Sequence, residues 1–393
     1  MVIGIVLSQT PGYSETFFHS KIKGLQNSGV EVRLFSQGKS DGFNLCSVTL
    51  SPKVTANSFQ QLAYFIKEFF LLMPHLPVLI RYIKLERREG TSLPKIFKKM
   101  YLNAHLLKAK VDWLHFGFAT LALSSETVAK AIGAKMAVSF RGFDINVYPI
   151  KHPHCYKTLW KHVDKVHSIS QYLLDKAISN GLSKHTPSAI ITPAVQLDTL
   201  PTNNFAISSD KISIVTIARI TWIKGLDVAI AAMAILKAKG LKFTYYIIGD
   251  GDKNSFERYK FMVYELGLME EIVFCGKLTH QETLQHLSSA NIYVQSSLNE
   301  GFCNAVLEAQ AIGVLTIASN VGGLSENVVD GKTGWLFENF SSESLAQRIQ
   351  MVVSLSDAQK NTISQNARKR VKEEFNIEKQ QKEWLEFYAT PIS

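Results

Sequence analysis

The residues best suited to chemistry gather in the stretch NEGFCNAVLEAQA, from Asn299 to Ala311. Glu300 and Glu308 stand eight positions apart there, the first in a loop and the second inside an expected helix that Gly313 stops. Between them, Gly301 lets a ligand approach the backbone closely, and the amides of Phe302, Cys303 and Asn304 open the helix. The order is an apolar strand over 292–295, a tight loop and a helix start. That order makes an anion site, because the first amides of a helix lack intrahelical acceptors and its dipole favours negative charge. Two carboxylates flanking it suit a ligand with phosphate at one end and many hydroxyls around it. Taken alone, the two glutamates read equally well as a helix-start charge and a solvated face residue.

Other candidates lie at strand ends. Arg219 follows an expected strand over 212–218, and Lys224 precedes the helix after it. Gly249-Asp250-Gly251-Asp252 has the spelling of a metal chelate, although a tight glycine turn after a strand explains it more simply. His115 ends a short strand over 111–117, and Arg141 and Asp144 form the loop after a strand over 134–140. Open α/β sheets bind ligands at the carboxyl ends of their strands. A lone histidine is more often a structural hydrogen-bonder, but two polar strand-end loops make His115 a functional candidate. Gly12 and the amides around Tyr13 could meet a phosphate or sugar; an ordinary loop glycine accounts for the same residues. No Gly-x-Gly-x-x-Gly fingerprint stands in that loop.

These residues need two α/β halves to hold them. At 393 residues two domains are expected. Strands over 2–7, 30–35, 111–117, 134–140, 165–170 and 189–192 alternate with helices, the signature of a parallel sheet. A helix capped by Ser14 runs to Gly29. The polar stretch 196–210 reads as a linker between a domain over 1–195 and a second over 211–375. The second repeats the alternation, with strands over 212–218, 242–248, 272–274, 292–295 and 314–318. The last segment, 376–393, carries Trp384, Leu385, Phe387 and Tyr388 on a helical pattern that suits docking onto the first domain.

Residues 58–110 differ in character. Leu62, Phe65, Ile66, Phe69, Phe70, Leu72 and Met73 form an apolar helical stripe that Pro74 and Pro77 are expected to break. Arg81, Lys84, Arg87, Arg88, Lys95, Lys98 and Lys99 follow. Aromatic and basic residues on helices suit an anionic membrane surface; core-packed helices with a solvated basic face are the other reading.

The chain carries a net charge of +10, a hydrophobic fraction of 46% and a charged fraction of 19%, a globular balance. No run of about eighteen uninterrupted apolar residues exists to span a bilayer. The start, MVIGIVLS, reads as a first strand in place of a signal segment. Cys46, Cys155, Cys275 and Cys303 lack paired or metal-ligand spacing, which favours free thiols and a reducing compartment. The excess charge is not matched by any nucleic-acid reader motif, so no nucleic acid is expected. An anionic substrate or membrane surface explains it.

With the motifs in this order, the second half resembles the family-4 retaining glycosyltransferases of the GT-B fold, of the exopolysaccharide and lipopolysaccharide type. The residues are Ala218-Arg219-Ile220-Thr221-Trp222-Ile223-Lys224-Gly225, then Gly249-Asp250-Gly251, Glu300-Gly301-Phe302 with Glu308-Ala309, and Val321-Gly322-Gly323-Leu324-Ser325-Glu326. In the first half 11–17, His115-Phe116-Gly117 and Ser139-Phe140-Arg141-Gly142-Phe143-Asp144 are similar to exopolysaccharide-type members, with Arg141 where many relatives carry His.

The resemblance implies two Rossmann-like domains whose parallel sheets face across a cleft, and transfer from a nucleotide-sugar, UDP- or GDP-linked, with retention and without a metal or other cofactor. Arg219 and Lys224 would offset charge on the departing diphosphate. Glu300 and the backbone of Gly301, Phe302, Cys303 and Asn304 would hold sugar and phosphate. Glu308 would bind the ribose, with Gly249, Gly251, Gly276, Lys277 and Leu278 lining the donor site. His115 would touch donor sugar or acceptor hydroxyl, and Gly12, Tyr13, Arg141 and Asp144 the acceptor side. The acceptor would be a glycan, lipid-linked in keeping with the 58–110 region, and the protein cytoplasmic, peripheral on the inner membrane face. Transfer to a soluble small acceptor, a sugar-nucleotide epimerase and a non-catalytic nucleotide-sugar binder are the alternatives.

Overall fold

A computed structural model describes residues 1–12, 16–40, 42–201 and 211–390. Tyr13, Ser14 and the linker positions 202–210 lie outside the described residues. Two compact units result, the first from Met1–Ile191 with the chain from Gln380 onward, the second from Thr192–Lys379.

The first unit holds a seven-stranded sheet of β1 (Val2–Gln9), β2 (Glu31–Gly38), β3 (Ser47–Leu50), β4 (Trp113–Phe116), β5 (Lys135–Phe140), β6 (Lys165–Ser168) and β7 (Ser188–Ile190), in the order β3-β2-β1-β4-β5-β6-β7. All its pairings are parallel. The apolar runs of β1, β4 and β5 are buried because helices cover both faces of such a sheet. The terminal helix Ile377–Ala389 packs Trp384, Phe387 and Tyr388 into the cluster that holds Ile3, Ile5, Phe18 and Trp113.

The second unit has six parallel strands, β8 (Ile212–Ile217), β9 (Phe243–Ile248), β10 (Ile272–Gly276), β11 (Ile292–Gln295), β12 (Leu315–Ser319) and β13 (Trp335–Phe337), in the order β10-β9-β8-β11-β12-β13. Strands β3 and β13 have no counterpart in the sequence reading. Both are short edge strands of four and three residues, too brief for a periodic signal.

Pro74 and Pro77 interrupt the α-helix of the apolar stripe as expected, and the chain stays helical across the break. Helix Ser58–Leu72 runs through a 3-10 turn at Met73–His75 into helix Leu76–Arg88, and each proline sits in the first turn of its segment. Its missing N–H is no loss there.

Candidate active site

In each sheet the strand order reverses once, between β1 and β4 and between β8 and β11. Loops leaving the carboxyl ends of the two strands at such a point diverge and open a crevice. In the second unit the loop after β8 carries Arg219 and Lys224, and the loop after β11 carries Glu300 through Asn304.

These two loops are stitched together. Leu298 donates its N–H to Ile223 O at 2.8 Å, and Ser296 Oγ donates to Lys224 O at 3.0 Å. Gly225, at φ +59°, starts helix Leu226–Ala238, and a Cβ there would stand 2.1 Å from Ser296 O. Only glycine allows that approach. The consequence is an ion pair between Lys224 Nζ and Glu300 Oε2.

A buried polar line supports this pair. Tyr293 OH donates to Gln295 Oε1, Gln295 Nε2 to Ser297 Oγ at 2.7 Å, and Ser297 Oγ to Glu300 Oε2 at 3.2 Å. Burial works against the charge on Lys224, but Glu300 outweighs it and the ammonium pKa is raised. Lys224 is therefore a held cation at neutral pH. Arg219 beside it is exposed and has no carboxylate partner among the described residues. A cation pair with one member free faces whatever anion enters.

Helix Asn304–Ile312 follows the Glu300 loop. One of its expected ligand amides is already used: Cys303 N–H donates to Asn327 Oδ1 at 2.9 Å, and Asn327 Nδ2 returns a bond to Cys303 O at 3.3 Å. The Cys303 amide is thus structural, a correction to the sequence reading. Its thiol is buried, and burial together with Glu300 pushes it up to about 11. Gly323 N–H donates to Glu300 O at 2.9 Å, and a Cβ on Gly323 would meet Gly301 O at 1.9 Å. The loop is therefore clamped from the segment after β12.

Glu308, half-buried, accepts from His280 Nε2 at 3.0 Å, and this bond raises the His280 pKa. His280, Ser297, Gln295 and Asn327 were not singled out from sequence. The capping box of Thr279 and Glu282, which starts helix His280–Ser288, was the available signal for placing His280. Gly249 lies where a Cβ would stand 1.9 Å from Ala218 O, and Gly251 where one would stand 2.3 Å from Ile220 O. Both let the β8 and β9 loops touch. Asp250 Oδ1 accepts from Gly251 N–H and Asp252 caps helix Lys253–Glu265, so each aspartate has a local structural task. Gly276 ends β10 at φ +71°, with Lys277 exposed and Leu278 half-buried after it.

The first unit overturns the expectation for His115. The imidazole is fully buried within β4, under the terminal helix. His167 Nε2 donates to Ile191 O at 2.9 Å, which leaves Nδ1 to accept from Ser139 Oγ at 2.8 Å. Ser139 then accepts from His115 Nε2 at 2.8 Å, leaving His115 Nδ1 to accept from Tyr388 OH at 2.5 Å and Lys21 Nζ at 3.2 Å. Burial above all, with Lys21, His167 and Arg141 nearby, holds His115 neutral. Its ring nitrogens are consumed, so it does not meet donor or acceptor.

Asp144 is likewise buried. It accepts from Arg141 N and Gly142 N at 3.0 and 2.9 Å and from Ala119 N at 3.0 Å. It ties two loops together where an acceptor contact was expected. The Arg141 guanidinium lies 3.5 Å from the Phe17 ring centroid, a cation–π contact. Gly12 is half-buried in the loop after β1.

Two doubly wound parallel sheets, with cations and carboxylates at the switch point of the second, define a GT-B fold. Residues 202–370 match the family model described as "Glycosyl transferases group 1". The chain is similar to the putative colanic acid biosynthesis glycosyltransferase WcaL of Escherichia coli K12, 24% identical with 96% of each chain covered. It is also similar to the amylovoran biosynthesis glycosyltransferase AmsK of Erwinia amylovora, 27% identical over 68% of this chain and 67% of that one. The solved structure of Anabaena HepE in complex with UDP and glucose shares the fold, with a TM-score of 0.74, 16% identity and 99% of each chain covered.

Proposed function

We propose that this glycosyltransferase moves a sugar from a UDP- or GDP-linked donor to a lipid-linked glycan acceptor in the assembly of a surface polysaccharide, with retention of anomeric configuration. The observation that carries the reading is the Lys224–Glu300 pair at the β8/β11 switch point with Arg219 exposed beside it. Breaking a sugar–phosphate bond leaves growing negative charge on a nucleoside diphosphate. Preorganised cations at that charge lower the barrier, because they need no reorganisation when it appears. Lys224 and Arg219 are those cations, and their two charges take the part of a divalent ion. Glu300 holds Lys224 in place and offers a carboxylate to sugar hydroxyls. Glu308, oriented by His280, is the acceptor for ribose hydroxyls.

The names of the relatives support the pathway class: colanic acid, amylovoran and, in Staphylococcus aureus, capsular polysaccharide. UDP and glucose bound to the structural neighbour support the donor class. The test is a thermal-shift screen of nucleotide-sugars followed by a transfer assay with lipid-linked glycans in the presence of chelator. A stabilising donor, with nucleoside diphosphate released only when acceptor is present, is the expected result. Release independent of acceptor, or no stabilising donor at all, overturns the reading.

A further inference from the structure

The helical segment of 58–102 turns an apolar ridge outward. Phe59, Leu62, Ile66, Phe69 and Met73 follow each other at steps of three and four, and Leu76 and Ile80 continue the series. All are exposed, Phe59 at 86%, and Phe70 beside the ridge at 70%. Steps of three and four place residues on one helix face, so this is a continuous surface and not scattered single side chains.

The opposite face is anchored. Leu72, Leu79 and Tyr82 are buried, and so is Glu86, whose carboxylate accepts from Lys99 Nζ at 2.8 Å, Thr91 Oγ1 at 2.9 Å and Thr127 Oγ1 at 2.6 Å. By length and composition, 58–88 could cross a bilayer. Crossing would drag Glu86 out of these partners and Tyr82 out of its buried position, and Lys67 and Glu68 into hydrocarbon. The segment fits a surface position, with one face on protein and one on lipid.

Charge selects the surface. The carboxylates of this region are all taken: Glu68 by Lys108, Glu86 by Lys99, and Glu89 by Lys161 and His162. Arg81, Lys84, Arg87, Arg88, Lys95 and Lys98 are exposed and have no carboxylate partner among the described residues. Lys99, grouped with them in the sequence, is half-buried and spent on Glu86 and Glu126.

We propose that this helical face docks in the plane of an anionic lipid bilayer, with the Phe59–Ile80 ridge among the acyl chains and the basic cluster on the headgroups. An apolar face with basic residues along it is the composition that binds such an interface.

The experiment is flotation of the full chain with phosphatidylcholine vesicles, with and without phosphatidylglycerol. Wild type is expected to float, and more strongly with the anionic lipid. Phe59→Ser with Phe70→Ser should lower binding about tenfold or more on both vesicles, since aromatic burial in lipid is lost. Arg87→Gln, Arg88→Gln, Lys95→Gln and Lys98→Gln together should remove the preference for phosphatidylglycerol. These side chains are exposed, and circular dichroism checks that each variant is folded. Unchanged flotation in both variants overturns the proposal. So does a dimer in sedimentation that Phe59→Ser with Phe70→Ser dissociates while wild type ignores vesicles, which would make the face a contact between copies. Vesicle binding needs neither donor nor acceptor, so its result stands apart from that of the transfer assay.

Discussion

Acidification should destabilise the first unit through His115 and His167, and the size of the effect follows from their burial. Both imidazoles are buried, and burial is the first cause of their lowered pKa values. In the unfolded chain each takes up a proton near pH ~6.5. In the folded unit each stays neutral, because His115 Nδ1 and His167 Nδ1 are needed as acceptors. The unfolded state then binds more protons, so stability is fully present above that pH and is lost as pH falls through it. Over a fall from about pH 7 to about pH 5, each neutral-held histidine forfeits about 2 kcal/mol, or about 4 kcal/mol for the pair. His105, lowered to about 4 chiefly by burial, adds to the same slope. His280 has its pKa raised by Glu308, contributes with the opposite sign and belongs to the second unit. The assay is urea unfolding of wild type and His115→Gln at both pH values. The variant loses a constant amount from its broken hydrogen bonds, which cancels when each protein is compared with itself. Its acid-induced loss should be smaller than that of wild type by about 2 kcal/mol. An identical loss in the two proteins would refute the reasoning, because His115 would then protonate as readily folded as unfolded.

Lys224→Ala should lower kcat about a hundredfold or more, as removal of a preorganised charge does, with a smaller change in donor affinity; wild-type turnover would end the leaving-group role. Glu308→Ala should weaken nucleotide-sugar binding about tenfold by calorimetry, in line with the loss of a charge-assisted hydrogen bond, and His280→Ala should weaken it less, since His280 acts through Glu308. Gly323→Ala places a methyl on Gly301 O and should cost about 1–3 kcal/mol of stability in thermal unfolding, with donor binding reduced in the protein that remains folded. Asn327→Ala removes the partner of the Cys303 amide and should cost about 1–3 kcal/mol; a neutral effect would show that this amide is satisfied elsewhere.

The two-sheet parallel fold was legible because strands buried on both faces leave near-continuous apolar runs, as in 2–7, 292–295 and 314–318. Glu300 and Lys224 could be named from sequence because a strand, a loop and a helix start announce a carboxyl-end site. Their partnership could not, since it depends on glycines 225 and 323 letting backbones approach from distant segments. The supporting side chains Gln295, Ser297 and His280 are ordinary polar residues until folding lines them up.

His115 shows the limit from the other side. By itself the sequence determined a histidine at the end of an apolar strand in an α/β chain whose second half carries glycosyltransferase motifs. A strand's period says which residues point to a common face, and nothing in it says what covers that face. Only the tertiary structure decided that the terminal helix brings Tyr388 and Trp384 over it, closing off from substrate a side chain that spacing alone had placed at the site. The same holds for the stripe of 58–80. Periodicity determined that its apolar residues share a face, and the buried anchors Leu72, Tyr82 and Glu86 decided that this face looks outward. Burial is a property of neighbours contributed by remote parts of the chain, and local sequence does not carry it.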